Sequence, residues 1–373
     1  MQTVVYVSAT DELGGADASL FELVQALDRS RFRAHVVVPH VGPYAARYRT
    51  LGVPVHVVPL RKLKNTKNLL WHLRYLAAAP LRVLRLLQLF RRLRPAVIHV
   101  NTSVEALAGL AAAWHCKWRG GRLVWHVREL ELRPRIVERT LFALVRRLAD
   151  TVVAISSPVA ARFGRRERVY VIPNGIDLQR FTPADKPRPA DRPPTLGWVG
   201  RIAKGKGLDH VLETFALVRQ KLPQTQLLVM GAPVPGHETY AARLRERAQA
   251  IGGVTFVPAG PDPERVYAEL DLFVHLPDLA EGLGRTVLEA AAAGVPTVAW
   301  PQGGLVDTIQ DQTTGVFTPS HDLPTTAGAI VALLEDPARR TAMSHAAAAF
   351  ARERFDRARC ARAVETTYQG AMP

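Results

Sequence analysis

Cysteine is scarce in this 373-residue chain, which contains only Cys116 and Cys360. Two cysteines so far apart exclude a disulfide framework and a cysteine-based metal cluster, and they agree with a reducing compartment. No run of 18 apolar residues occurs, so we expect no membrane-spanning helix. The chain begins almost directly with an apolar stretch, residues 4–7, without the charged and hydrophobic regions of a secretory signal. These absences predict a cytoplasmic protein.

Acidic residues are missing from a long part of the first half. Residues 29–104 contain no Asp or Glu, whereas they contain 15 Lys or Arg. Residues 1–170 have 28 Lys and Arg against 11 Asp and Glu, while residues 171–373 have 21 against 22. The formal net charge of +16 therefore comes entirely from the first half. We predict that this half meets an anionic partner.

The length and the pattern of apolar runs predict two domains. A chain of 373 residues is longer than one core usually supports, and its hydrophobic content of 48% is that of an ordinary globular protein. Short runs rich in Val and Ile alternate with helical patterns, which is typical of parallel sheets covered on both faces. The alternation stops at residues 182–194, where 5 of 13 residues are proline, and then begins again. Because proline removes donors and blocks helices, this segment is interpreted as a linker.

The predicted strands of the two halves are similar in spacing. Those of the first half are residues 4–7, 34–38, 55–58, 97–100, 123–127, 152–155 and 169–172. Those of the second half are residues 195–199, 226–230, 254–257, 272–276, 297–299 and 315–317. Ligands of parallel sheets bind beyond the carboxyl ends of the strands, so the loops that follow these runs are where a site is expected. Two such domains joined by a hinge predict a ligand cleft between them.

Two cations follow the first strand of the second half. Arg201 comes directly after Gly200, and Lys206 lies five residues further on, before the next predicted helix. A strand, a glycine turn and two cations at a helix start suit the binding of a diphosphate leaving group. Solvated loop charges would give the same pattern, so position alone leaves both interpretations open.

A Gly-x-Gly turn near the C-terminal end carries two glutamates. Glu281 precedes Gly282 and Gly284, and Glu289 lies eight residues after Glu281 in a predicted helix. The glycines let the backbone approach a ligand closely, and the helix start offers unpaired N–H groups. Such a turn could present Glu281 to sugar hydroxyls and amides to a phosphate. The spacing of the two glutamates alone is common in helical proteins, and its meaning depends on the neighbouring motifs.

Taken together, these motifs resemble the retaining GT-B glycosyltransferases of family 4, the glycogen synthase-like group. In the second half the matching segments keep the family's order and spacing, and they are residues 171–177, 199–201, 206–207, 281–284, 289–290 and 294–296. The first half is similar more loosely, through residues 13–16 after the first strand and residues 126–129 at a strand end.

The resemblance implies an α/β GT-B fold of two Rossmann-like domains that face a central cleft. We expect an acceptor-binding domain over residues 1–180, a proline-rich linker over 181–194 and a nucleotide-sugar-binding domain over 195–340. Helices over residues 341–373 are placed so that they can cross back to the first domain.

The resemblance also implies transfer of a sugar from a nucleotide diphosphate sugar, with retention at the anomeric carbon. In the family's pattern, Arg201 and Lys206 stabilise the departing diphosphate. Glu281 holds sugar hydroxyls, and Glu289 binds the ribose hydroxyls of the nucleotide. Backbone amides near Leu283 and Gly284 position the sugar and the phosphate.

Three further positions receive roles from the same resemblance. His126 would hydrogen-bond the transferred sugar or the acceptor, although a lone histidine at a strand end is ordinarily a satisfied structural residue. Gly15 would let the backbone approach the diphosphate. Arg285 adds a cation directly after Gly284 and is a further candidate for a phosphate contact. Because no Asp-x-Asp motif is present, we expect no metal and no cofactor besides the nucleotide-sugar substrate.

A basic amphipathic helix is predicted within the region that lacks acids. It follows the basic residues 61–67 and the aromatic Trp71 and Tyr75. On a helical projection, one face has Arg82, Arg85, Gln88 and Arg92, and another has Leu86, Leu89, Phe90 and Leu93. The pattern suits an anionic bilayer surface, and it equally suits a helix that packs its apolar face on the sheet. We predict peripheral binding at the inner face of the membrane and a lipid-linked or polysaccharide acceptor.

Two other classes of function remain open. The basic half could belong to an inactive GT-B scaffold that binds nucleic acid or an anionic surface. No nucleic-acid motif supports this. An inactive scaffold need not keep all four of the residues Arg201, Lys206, Glu281 and Glu289, so their presence favours an enzyme without a nucleic-acid partner. A sugar-nucleotide epimerase can share the two-domain architecture. Turnover of a nucleotide sugar separates the enzyme from the scaffold, and dependence on an acceptor separates transferase from epimerase.

Overall fold

The computed structural model describes residues 1–12, 14–60, 69–132, 134–164, 167–183, 192–260 and 262–371. The chain divides into two compact units, of which the first is Met1–Gly175 with Arg357–Pro373 and the second is Ile176–Asp356. Of the segments named above, Leu13, the basic residues 61–67 and most of the predicted linker, 184–191, lie outside the described residues.

The first unit is built around a parallel sheet. In chain order its elements are β1 (Gln2–Val7), α1 (Gly15–Gln25), β2 (Phe32–Val38), α2 (Pro43–Thr50), β3 (Val55–Val57), α3 (Leu69–Ala77), α4 (Ala79–Leu93), β4 (Val97–Val100), α5 (Ala106–Arg119), β5 (Arg122–Val127), α6 (Arg135–Leu148), β6 (Thr151–Ala154), α7 (Ser157–Ala161) and β7 (Val169–Val171). Among the described residues the strand order is β3-β2-β1-β4-β5-β6-β7, and all pairs are parallel. Strands β4 and β6 are buried along their whole length, which explains their continuous apolar sequence.

The second unit repeats this architecture. Its elements are β8 (Thr195–Val199), α8 (Leu208–Lys221), β9 (Gln226–Met230), α9 (Glu238–Ile251), β10 (Val254–Val257), α10 (Glu264–Ala268), β11 (Leu272–His275), α11 (Arg285–Ala292), β12 (Thr297–Ala299), a 3₁₀ turn (Gly304–Asp307), β13 (Gly315–Phe317), α12 (Leu323–Glu335) and α13 (Pro337–Arg354). The described strands run in the order β10-β9-β8-β11-β12-β13, again all parallel. Every strand predicted from the sequence is present, with ends displaced by two residues at most.

The C-terminal helices separate between the two units. Helix α13 packs against α11 within the second unit. The last helix, α14 (Arg357–Tyr368), belongs to the first unit and packs on α1. An Arg357 nitrogen lies 3.1 Å from a Glu22 carboxylate oxygen, and a Glu365 carboxylate accepts from the Asp28 amide at 2.8 Å. These contacts place Tyr368 beside the carboxyl half of the first sheet.

Helices α3 and α4 form a pair on the first unit. Leu86, Leu89 and Phe90 of α4 are buried, as the helical projection predicts. Arg82 is buried too, because its guanidinium donates to the Tyr75 carbonyl and lies over the Tyr75 ring. Its assignment to the exposed basic face was therefore wrong, and that face consists of Arg85, Gln88, Arg91 and Arg92. Among the described residues, no helix has the length and apolarity needed to cross a bilayer.

Candidate active site

Lys206 and Glu281 meet at the carboxyl edge of the second sheet. Lys206 lies in the loop after β8, and Glu281 lies in the loop after β11, which is the neighbouring strand. The Lys206 ammonium donates to Oε1 of Glu281 at 2.7 Å. Both side chains are partly exposed, so the pair remains accessible to a ligand. The structure thus brings together two residues that the sequence assigned to one site.

Glycines allow the loops at this edge of the sheet, including the one after β12, to pass each other closely. At Gly207 φ is +78°, and an added Cβ would lie 1.9 Å from the Leu276 carbonyl oxygen at the end of β11. At Gly304 an added Cβ would lie 2.1 Å from the Gly282 carbonyl oxygen, while the Gly304 amide donates to the Glu281 carbonyl at 2.8 Å. No other residue type fits at these two positions without moving the backbone.

The surroundings of Glu281 keep its carboxylate ionised. Burial raises its pKa, but the charge of Lys206, with further contributions from His275 and Arg201, brings the pKa below its usual value. Burial also lowers the pKa of His275 to about 4, so this ring is neutral at pH 7. Its Nε2 lies 3.7 Å from Oε1 of Glu281. Arg201 is exposed, and it is near enough for its positive charge to act on Glu281.

Glu289 lies in a second, more buried cluster on α11. Tyr267 donates its hydroxyl to Oε2 of Glu289 at 3.0 Å, and Arg285 donates Nε to Oε1 at 2.9 Å. Burial raises the pKa of Glu289, and the neighbouring Arg285 and Arg180 oppose this. Arg285, the proposed phosphate contact, is therefore engaged with Glu289 in this structure.

The start of α11 supplies amides next to these carboxylates. Gly284 precedes the helix with φ of +84°, and an added Cβ there would lie 2.3 Å from a methyl group of Leu305. Leu283 is buried, which anchors the turn. The first N–H groups of a helix have no intrahelical acceptor, so they attract anions. The turn from Glu281 to Arg285 thus combines a carboxylate with anion-binding amides.

His126 lies at the carboxyl end of β5 in the first unit and is buried. Its Nδ1 is 3.2 Å from His99 Nε2 and 3.4 Å from Arg128 Nη2. Burial lowers the pKa of His126 well below its usual value and that of His99 to about 3, so both rings are neutral. Because a guanidinium can only donate, Arg128 favours the tautomer with the proton on Nε2 of His126. That Nε2 has no hydrogen-bond partner among the described residues, as expected of a group that serves a ligand.

Asparagines hold Arg128 in place beside His126. Nε and Nη2 of Arg128 donate to the Asn101 side-chain oxygen at 3.1 and 2.9 Å, and Nη1 donates to the Asn174 side chain. Asn174 belongs to the matching segment 171–177 and Asn101 follows β4, so three strand ends converge here. No sequence motif predicts a role for His99, Asn101, Tyr267 or His275. The only signal for the first two was their position at the end of a strand.

Gly15 begins α1 in the loop that follows β1. The Asp17 carboxylate stabilises this loop by accepting from the Ser8 and Thr10 hydroxyls, each at 3.0 Å. Among the described residues, an added Cβ on Gly15 would meet no other atom within 4 Å. Packing of the described chain therefore does not require glycine there, which agrees with a role toward a ligand.

Comparison with known families agrees with these motifs. The model of Glycosyltransferase Family 4 matches residues 13–180, and that of Glycosyl transferases group 1 matches residues 180–350. The chain belongs to glycosyltransferase family 4. This confirms the resemblance inferred from the motifs.

Curated relatives of this family 4 chain include several D-inositol 3-phosphate glycosyltransferases. The protein of Nocardia farcinica is 31% identical over 252 residues, which cover 64% of this chain and 55% of the relative. That of Salinispora arenicola is 33% identical over 48% of this chain and 45% of its own length. The protein of Pseudarthrobacter chlorophenolicus is 28% identical over 90% of this chain and 83% of its own length. For several of these relatives, the part that matches this chain is about half of the relative's length.

Solved structures confirm the predicted GT-B fold. HepE of Anabaena, in complex with UDP and glucose, has a TM-score of 0.83 at 22% identity and covers 99% of this chain and 100% of its own. Sucrose-phosphate synthase of Thermosynechococcus elongatus has a TM-score of 0.79 at 20% identity, with 99% of both chains covered. Both units of the family 4 chain are therefore Rossmann-like domains of the GT-B type.

Proposed function

We propose that this chain is a retaining glycosyltransferase that moves a sugar from a nucleotide diphosphate sugar to a lipid-linked or polysaccharide acceptor. The observation that carries the proposal is the Lys206–Glu281 pair, which adjoins the amides at the start of α11. The structural relative HepE supports the donor class, because it was solved with UDP and with UDP-glucose.

Lys206 and Arg201 are the groups that would stabilise the leaving diphosphate. Arg201 is exposed and acts on the charge of Glu281, and Lys206 is already oriented by Glu281. Cations that are positioned before the reaction stabilise charge in the transition state without a cost of reorganisation. Glu281, ionised and partly exposed, would accept hydrogen bonds from hydroxyls of the transferred sugar.

Glu289 is the proposed ligand of the ribose. Its two oxygens can each accept from a vicinal hydroxyl, and Tyr267 and Arg285 fix the carboxylate orientation. Because Tyr267 and Arg285 donate to the carboxylate, they stabilise its ionised, hydrogen-bond-accepting form against the effect of burial.

His126 is proposed to donate a hydrogen bond rather than to act as a base. Its ring is neutral, and the tautomer that Arg128 favours carries the proton on the unpartnered Nε2. A nitrogen that already holds a proton cannot take another from the acceptor hydroxyl. This supports a retaining reaction in which a donor phosphate oxygen receives that proton, as the family resemblance implies.

The surface of the first unit supports an acceptor in an anionic membrane. Exposed leucines of α3 and α4 have 47% to 64% of their surface accessible, and they are Leu73, Leu76, Leu81 and Leu84. On α5, which packs against α4, Trp114 and Trp118 are 56% and 62% exposed. The exposed arginines of α4 lie on the same helix as Leu81 and Leu84. Apolar side chains among cations are typical of binding to anionic bilayers.

The names of the curated relatives favour a second acceptor, D-inositol 3-phosphate. The test of the proposal therefore offers each nucleotide sugar with three acceptors: a polyprenyl-phosphate-linked sugar in vesicles, an oligosaccharide and D-inositol 3-phosphate. We expect nucleoside diphosphate to be released with only one of the acceptors. NMR of the product should show the same anomeric configuration as in the donor. Isomerised donor without any acceptor would indicate an epimerase. No nucleotide binding by calorimetry and no turnover would indicate the inactive scaffold.

A further inference from the structure

Two histidines and an aspartate lie together in the second unit, apart from the groups assigned to the transfer reaction. They are His210, Asp278 and His321, and one ligand atom from each lies within 4.8 Å of the other two. Nε2 of His210 is 2.8 Å from Oδ1 of Asp278, and Nδ1 of His321 is 3.7 Å from the same oxygen. A tetrahedral metal with bonds of about 2.1 Å requires ligand atoms about 3.4 Å apart. The observed separations of 2.8 and 3.7 Å lie on either side of that spacing.

The three residues come from three loops at the carboxyl edge of the sheet. His210 is in the first turn of α8, Asp278 follows β11, and His321 lies between β13 and α12. The Asp278 amide donates to the Gly205 carbonyl at 3.2 Å, which joins the first two loops independently of the side chains. Three residues from separate loops thus converge on one point, and the backbone already joins two of these loops.

A buried tryptophan supports both imidazole rings. The ring centroid of Trp300 lies 4.9 Å from that of His210 and 4.7 Å from that of His321. Trp300 itself is fully buried, and its Nε1 donates to the Thr326 hydroxyl. His321 also has φ of +65°, a left-handed conformation that is costly for a residue other than glycine. These features orient two side chains that would otherwise sample many rotamers.

We propose that His210, Asp278 and His321 bind one Zn²⁺ ion, with a water molecule in the fourth position. Two imidazole nitrogens and one carboxylate oxygen form a ligand set that favours Zn²⁺ and excludes Mg²⁺ or Ca²⁺, which take oxygen ligands. Asp278 lies close to Glu281 in the chain, and Gly205, which accepts from the Asp278 amide, is next to Lys206. An ion bound to Asp278 therefore joins the loops that carry Lys206 and Glu281. It has no part in the transfer chemistry proposed above, and the site stands whether or not that function is correct.

The test is calorimetric titration of the tag-free full chain with ZnCl₂ in the absence of nucleotide, because both polyhistidine and diphosphates bind zinc. One zinc per chain is expected for the wild type, with a rise in melting temperature of about 5 °C or more at saturation. Hydrogen exchange should slow in the loops 204–210, 276–281 and 318–322. Co²⁺ in place of Zn²⁺ should give the intense visible absorption of a tetrahedral site.

Two matched groups of variants complete the design. His321→Asn and Asp278→Asn should lose the zinc and the thermal shift. His345→Gln changes an exposed histidine of the same unit, and His35→Asn disrupts the His35–His56 pair of the first unit, whose ring nitrogens are 3.0 Å apart. Both should keep the zinc. Loss in His35→Asn with retention in His321→Asn would overturn the proposal, as would a wild type that binds no zinc. If His321→Asn unfolds, the circular dichroism spectrum reveals it, and His210→Gln then decides.

Discussion

The ammonium nitrogen of Lys206 lies 2.7 Å from Oε1 of Glu281, across two loops that follow neighbouring strands. The two groups are oriented by each other, yet each has a different ligand in the proposed reaction. Lys206→Met should lower kcat by about 10²- to 10³-fold, the usual effect of removing one charge-stabilising donor. Glu281→Gln should lower kcat/KM as well, and the double variant should be slower than either single variant, because the two contacts are separate.

A surface ion pair of the same length is the control for this cycle. Arg247 and Glu213 are also 2.7 Å apart, and both side chains are about 40% exposed. Arg247→Met should leave the steady-state rates unchanged. Wild-type transfer by Lys206→Met, or a double variant no slower than Glu281→Gln alone, would contradict the separate roles.

Glu289 should determine nucleotide binding. A ligand at about 100 times its Kd raises the free energy of unfolding by roughly 2.7 kcal/mol, and thermal melts with UDP, GDP, ADP, dTDP and CMP will detect this. We expect one of these nucleotides to stabilise the wild type and not Glu289→Ala. Tyr267→Phe removes the hydroxyl that bonds Oε2 of Glu289 and the Thr286 carbonyl but keeps the Glu289 carboxylate, so it should show a smaller loss. A full shift in Glu289→Ala would rule out the ribose role.

Gly15 should matter for transfer and not for stability. Because an added Cβ meets no other atom of the described residues within 4 Å, Gly15→Ala should leave the melting temperature unchanged. Transfer should fall if the donor diphosphate approaches this backbone. Gly328→Ala, at a position of α12 with equal space, is the control for general effects of the substitution. Equal kcat/KM values for both alanine variants would remove Gly15 from the site.

Stability should decrease as the pH falls below 6.5. Burial lowers the pKa of His275 to about 4, so the unfolded chain takes up a proton at a higher pH than the folded chain does. The resulting loss begins near pH 6.5, is complete below the folded pKa and reaches about 2 kcal/mol at pH 5 for this residue. Urea unfolding at pH 5, 6 and 7 measures it. His275→Gln should remove this residue's share of the pH dependence and leave the share of His99 and His126, whose pKa values burial also lowers, whereas His345→Gln should follow the wild type.

The exposed tryptophans of α5 should anchor the chain to anionic vesicles. Trp114→Ser with Trp118→Ser removes two aromatic groups that are more than half exposed, so the fold should be retained. Co-sedimentation with vesicles containing phosphatidylglycerol should drop several-fold, and high salt should weaken the binding of the wild type. Val171→Ser and Leu279→Ser, which change exposed apolar residues elsewhere, are the controls. Equal sedimentation of all proteins, or none with the wild type, would exclude this surface.

The sequence by itself determined the two parallel sheets and the family. Strands buried on both faces, such as β4 and β6, must be continuously apolar, and this left a local signal in the sequence. Gly207 and Gly284 mark tight turns in the sequence, because the positive φ at each position favours glycine.

Only the tertiary structure decided which partners each side chain has. The pairing of Lys206 with Glu281 depends on β8 lying beside β11, and the setting of His126 depends on the convergence of β4, β5 and β7. Arg82 was misplaced because helical periodicity does not reveal a neighbouring Tyr75 that turns the guanidinium inward. The cluster of His210, Asp278 and His321 left no motif, since its members are separated by 68 and 43 residues in sequence. Contacts between segments so far apart are determined by packing, and packing is a property of the whole folded chain.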